Sequence, residues 1–203
     1  MVIWRGDTNH RAVALTFDAG SDVGRTAQIL DLLDTENVTA TFGLTGAWMR
    51  ANPAMTRRIV AAGHLVVNHT DEHLSFTGFS TRTQPLSRAE RGGALNAAAR
   101  TFHEVTGKEM TPWFRPPYGD RDASVDQDVG ALGYRFELMW SVDSLGWRGV
   151  AATEVLRRVL ADATPGSIVL MHVGAASTDA AALPAVIRLL RARSLSLVRA
   201  DRL

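Results

Sequence analysis

Two imidazoles stand four residues apart in His69-Thr70-Asp71-Glu72-His73, directly after an apolar run. On a helical turn that spacing puts both rings on one face, close enough to share a tetrahedral metal ion. Four more polar residues close apolar runs: Asp18 after residues 12–17, Arg115 after Trp113-Phe114, Asp143 after Val142, and His172 after residues 168–171. A carboxylate or a histidine in such a place can be catalytic. Each also has a structural alternative. An Asp after a strand caps a helix or forms a turn, a His there is a satisfied core group, and Arg115 is a surface ion pair.

These residues need elements to position them. Apolar runs at 12–17, 38–44, 64–68, 113–115, 134–142, 167–171 and 195–198 read as strands. Helical spacing occupies 28–33, 53–62, 87–105, 122–132, 153–163 and 180–193. Asn52 and Pro53 suit an N-cap and first turn, and Ser87-Arg88-Ala89-Glu90 has the spacing of a capping box. Residues 77–85 are polar and read as an exposed loop. The alternation predicts one α/β domain over residues 1–203 with a mainly parallel sheet. A distorted (β/α) barrel of about seven strands is preferred, because the chemically interesting residues all sit at strand C-termini, which a barrel gathers on one face. An open nucleotide-binding sheet needs a glycine-rich loop after its first strand, and Asp18-Ala19-Gly20 is not one.

Composition narrows the function. A net charge of +1 gives no electrostatic argument for nucleic acid or an anionic membrane. The absence of cysteine removes disulfides and thiolate chemistry. No apolar stretch reaches the roughly 18 residues of a membrane span. Met1-Val2-Ile3-Trp4-Arg5 lacks the features of a signal peptide, which leaves a cytoplasmic protein or one whose leader has been removed.

Taken in order, the motifs resemble the polysaccharide deacetylase family, with its NodB-type, TIM-like barrel (carbohydrate esterase family 4). Thr16-Phe17-Asp18 is similar to the family's first motif and His69-Thr70-Asp71-Glu72-His73 to its second. Arg115-Pro116-Pro117-Tyr118-Gly119 resembles the third, Asp143-Ser144-Leu145-Gly146-Trp147 the fourth, and Leu170-Met171-His172 the fifth. The resemblance implies a metal-dependent hydrolase removing acetyl groups from peptidoglycan, chitin or acetylated xylan. It implies His69 and His73 as ligands of a divalent metal, zinc before others, with Asp18 as general base and His172 as general acid. Arg115 would orient Asp18, and the Tyr118 N–H would stabilise the oxyanion. Pro117, Trp147 and Leu170 would bound the substrate pocket, unless Trp147 is plain core. Asp143 would either tune His172 or support Arg115.

Two departures from the family pattern stand out. A second aspartate of the first motif, a metal ligand, is replaced by Ala19; Asp22 is the candidate substitute, if it is not a helix N-cap. The acidic residue that often precedes the tryptophan of the fourth motif is Gly146, which leaves His172 with less support. A polymeric substrate implies a secreted or cell-envelope protein whose leader is missing from this chain. Two rival readings remain: an inverzincin-type metalloprotease with Glu72 as base, and a glycan-binding pseudoenzyme with an impaired metal site.

Overall fold

Every residue of the first apolar run is buried in the structure, as expected of a strand covered on both faces. The structure, a computed structural model, describes residues 1–20 and 22–203. In chain order its first half comprises β1 (Val2–Ile3), β2 (Ala12–Ala19), α1 (Thr26–Thr35), β3 (Thr41–Leu44), α2 (Gly46–Ala51), α3 (Pro53–Ala61), β4 (Leu65–Asn68) and α4 (Arg88–Thr106). The second half comprises β5 (Trp113–Phe114), α5 (Ala123–Ala131), β6 (Phe136–Leu138), β7 (Val142–Asp143), α6 (Ala152–Asp162), β8 (Ile168–His172), α7 (Asp179–Ala192) and β9 (Ser196–Val198).

The paired strands are parallel and follow the order β1-β6-β5-β4-β3-β2-β8-β7, with β9 also beside β2. This is the distorted α/β barrel expected, left open between β1 and β7. The reading of 134–142 as one strand is corrected. β6 lies between β1 and β5, whereas β7 lies at the far end beside β8. Residues between them cross the seam: Met139 N–H donates to Ile3, and Ser141 N–H donates to Ile168. The chain changes neighbours there, so one continuous ladder cannot form. The short helix α2 was also not anticipated. Thr45 caps it, accepting from the Trp48 N–H.

Alternation along the strands sorts side chains by face. Val13, Leu15, Phe17 and Ala19 of β2 join Val169 and Met171 of β8 in the core beneath the helices. Ala14, Val67, Leu138 and Ile168 pack together inside the barrel. Thr16 and Asp18 follow Ala14 on that inner side, so Asp18 reaches the C-terminal mouth. The Ser87–Glu90 capping box forms as expected and starts α4, and Asp122 caps α5. Asn52 does not cap α3; its amide donates to the Trp48 carbonyl. No helix among the described residues is long and apolar enough to cross a membrane.

His64 is a structural histidine. Its Nδ1 accepts the Ala40 N–H at 3.0 Å and its ring lies 5.1 Å from that of Phe42. Burial, helped by Arg199, pushes its pKa down to about 4. The unfolded chain therefore binds this proton near pH 6.5 while the folded chain does not, and His64 withdraws stability as pH falls from about 6.5 towards 4. Urea midpoints measured at pH 7 and pH 5 should show a smaller drop in His64→Gln than in the parent; an identical drop would refute this account.

Candidate active site

Arg115 is fully buried inside the barrel mouth. It donates to Asp18 Oδ1 at 2.8 Å, to Thr16 Oγ1 at 2.9 Å, and to the carbonyls of Leu138 (2.9 Å) and Met139 (3.3 Å). The last two are where β6 ends, so this side chain satisfies carbonyls that the crossing would otherwise strand. Thr16 relays the contact by donating to the Val169 carbonyl. Asp18 itself is buried. Burial alone would raise its carboxyl, but Arg115, then His69 and His172, hold it below the ordinary range. Gly43 is its register partner on β3, and a Cβ there would run into Asp18 Oδ1.

The histidine pair is brought together by a strained loop, not by the helical turn expected. Thr70 and His73 both have positive φ, 67° and 59°, conformations that cost non-glycine residues about 1 kcal/mol or more. The surroundings enforce them. Asn68 Oδ1 accepts the Thr70 N–H, and Thr70 Oγ1 accepts the His73 N–H. Unpaired amides at the start of α2, Gly46 and Ala47, donate to the Thr70 and Asp71 carbonyls. Asp71 is gripped by both terminal nitrogens of Arg50. The outcome is two rings 4.7 Å apart, edge to face.

His69 Nδ1 lies 2.8 Å from the Arg115 carbonyl, which can only accept, so Nδ1 carries the hydrogen and Nε2 presents a lone pair. That lone pair faces Asp18 Oδ2 at 3.5 Å. Burial is the main force lowering the pKa of both rings, His73 to about 3, so both are neutral at pH 7.

Asp18, His69, His73 and His172 face one cavity of about 640 Å³, walled further by Pro116, Tyr118, Trp140, Asp143, Trp147 and Leu170. Asp18 and His172 are register partners on adjacent strands. Trp147 is half-exposed with its ring 6.4 Å from that of His172, so it is a wall of the site rather than core. Tyr118 has φ 61° and sets its ring 4.6 Å from His73. Asp143 lines the cavity but bonds the Leu145 N–H, forming a turn; it reaches neither Arg115 nor His172.

Two expectations are corrected and one rival reading falls. Pro116, not Pro117, lines the cavity, because Pro117 is buried at the start of the turn that carries Tyr118. Asp22 does not join the histidines: its Oδ1 accepts the Ala175 N–H and its carbonyl accepts Trp48 Nε1. Glu72 is exposed and lies off the cavity, and its motif is not helical, which removes the metalloprotease reading.

Among the described residues no three His, Asp or Glu side chains gather as a metal-binding group. Ala19 is packed into the helix-side core with Phe17. The donor chemistry nonetheless fits a divalent ion. Two neutral imidazoles face the cavity, and a bare nitrogen opposes a carboxylate oxygen, a contact between two acceptors that a cation relieves. His69 and His73 are the residues that would hold it, leaving other positions to water or substrate.

Thr16 and Gly43 were missed by the sequence reading. Period-two alternation from Asp18 marks Thr16, and a glycine inside a strand marks Gly43 as a close approach. Removing Arg115 would leave Asp18 buried without a cation. Arg115→Met should therefore destabilise the fold by about 3–5 kcal/mol in urea unfolding, and Asp18→Asn with Arg115→Met should recover part of it. A single variant as stable as the parent would show the pair to be structurally dispensable.

The profile of the polysaccharide deacetylase family matches residues 5–136. The chain is 35% identical over 171 residues to a peptidoglycan-N-acetylglucosamine deacetylase of Bacillus cereus, covering 82% of this chain and 58% of that protein. It thus spans little more than half of that relative's length. A solved peptidoglycan N-acetylglucosamine deacetylase superposes with a TM-score of 0.88 at 29% identity, over 98% of this chain and 90% of that one. A CE4 family pseudoenzyme from Bacillus anthracis superposes with a TM-score of 0.89 at 28% identity, over 100% and 68%. With its barrel and five motifs at one mouth, the chain belongs to the polysaccharide deacetylase family.

Proposed function

We propose that this chain is a metal-dependent carbohydrate deacetylase acting on N-acetylglucosamine-type glycan of the cell envelope, with peptidoglycan the foremost substrate. One observation carries the reading: an ionised carboxylate, Asp18, and a histidine, His172, flank two neutral imidazoles in one cavity. Zinc suits two imidazole donors best, and when bound it would polarise the acetyl carbonyl and acidify the attacking water. Asp18 takes a proton from the attacking water, its carboxylate kept charged by Arg115. His172 gives a proton to the departing amine. The Tyr118 N–H stabilises the oxyanion of the tetrahedral intermediate. Trp147 and Leu170 bound the space for the acetyl methyl. The substrate class follows the Bacillus cereus relative, named for peptidoglycan N-acetylglucosamine, and a polymer of that kind supports a secreted or cell-envelope location.

Ala19, and the lack of a three-residue metal group among the described residues, favour a second reading as a glycan-binding pseudoenzyme. Acetate release from N-acetylglucosamine oligomers, peptidoglycan and acetylated xylan, with zinc and with a chelator, separates the two. Release from an N-acetylglucosamine-containing substrate, lost on chelation, is expected. Asp18→Asn and His172→Ala should each lower kcat about 10²–10⁴-fold, and Glu72→Gln should leave it unchanged. Glycan binding by zinc-loaded protein with no acetate released would establish the second reading instead.

A further inference from the structure

Asp179, the first residue of α7, is fully buried, yet it has no arginine or lysine partner among the described residues. Its Oδ2 accepts the main-chain N–H of His172 at 2.8 Å and the Ser177 hydroxyl at 2.9 Å. Its Oδ1 makes no hydrogen bond among the described residues, although the Ser144 hydroxyl stands close to the carboxylate and offsets part of the rise that burial imposes on its pKa. Four buried side-chain polar atoms lack a partner among the described residues, and His172 Nδ1 and Asp179 Oδ1 are two of them. Leaving such atoms unpaired in a buried place forfeits their hydration without return, so two at one site beside the cavity call for an explanation.

Gly146 supplies a second observation. A Cβ on residue 146 would collide with the Asp179 carboxylate. The space that a side chain before Trp147 would fill is therefore taken, from another element, by an acid. The family pattern often has an acidic residue at that point, so the support thought lost with Gly146 reaches the site from α7.

A histidine that delivers a proton from Nε2 carries a hydrogen on Nδ1 as well, and that N–H needs an acceptor. We propose that Asp179 is a positioning residue for His172: its carboxylate anchors the strand end through the His172 N–H and receives the ring Nδ1–H in the protonated state. In the resting geometry neither orphan atom is bonded, and a turn of the ring on protonation brings them together. The proton delivered to the leaving amine departs from Nε2, and the Nδ1 hydrogen stays on the ring. Other charged or titratable groups facing His172 are Asp18 from β2, His69 and His73 from the loop after β4, and Asp143 from β7. None of these is bonded to its Nδ1.

This rests on the reading of His172 as the acid, and the experiment separates the two. Asp179→Asn keeps an oxygen for the His172 N–H but removes the charge. We expect kcat to fall about ten- to a hundredfold with KM unchanged, and the alkaline limb of the kcat/KM profile to move to lower pH. In the parent protein at mildly acidic pH, without substrate, ¹⁵N-histidine labelling should show a downfield His172 Nδ1–H proton resonance that Asp179→Asn lacks. Asp179→Ala should be slow, and adding Gly146→Asp to it should restore part of kcat and the resonance. No downfield resonance in the parent, or a folded Asp179→Asn with unaltered kcat and pH limb, would overturn the proposal. So would a folded double variant no faster than Asp179→Ala. A parent that releases no acetate but shows the resonance would refute the acid role alone and retain the link to Asp179.

Discussion

The guanidinium of Arg115 and the carboxylate of Asp18 are both out of solvent, and each is tolerable there only because of the other. Either charge alone in that position would cost several kcal/mol. The pair also closes the architecture. Arg115 follows β5, Asp18 is the last residue but one of β2, and the two carbonyls that Arg115 satisfies lie at and just beyond the end of β6. One side chain thus ties three strands of an incomplete barrel at its mouth and covers the point where the chain leaves one neighbour for another. Stability and chemistry share the interaction, because the contact that makes the buried arginine acceptable also keeps Asp18 able to accept a proton.

Strain is concentrated around the same mouth. Thr70, His73, Tyr118 and Leu145 all take positive φ, and each lies in a loop that borders the cavity or carries one of its walls. For the histidine loop the compensation is visible: helix-start amides of α2, the Asn68 side chain and the Arg50–Asp71 pair hold it. Loops so constrained present side chains with little freedom left to lose, which is what a site that orients a reacting group requires. The bonds that enforce the strain come from elements far apart in the chain.

The histidine pair and His172 differ in their surroundings. His69 and His73 are kept neutral chiefly by burial, with one nitrogen of His69 tied to the Arg115 carbonyl. His172 ends a strand whose main-chain N–H is bonded to a carboxylate. On the proposed function, one residue type is thereby suited to different tasks by its neighbours, as an acid and a base working at one pH require.

The sequence by itself determined the class of fold, the order of most elements and the residues worth watching, because those signals are local. Hydrophobic period, the Ser87–Glu90 box and polar residues at strand ends are read within a few positions of chain. The motif resemblance added roles for Asp18, His69, His73, Arg115 and His172, and the tertiary structure brings all five to one mouth. It alone decided that 134–142 is two strands, since a run of apolar residues does not say which neighbour it pairs with. It alone turned Asp22 away to Ala175 and replaced Pro117 with Pro116. Asp179 reads in sequence as an ordinary acidic start to a helix, and Gly146 as a lost carboxylate. That the one occupies the space left by the other is a contact across 33 residues (179 minus 146), and only packing in three dimensions creates it.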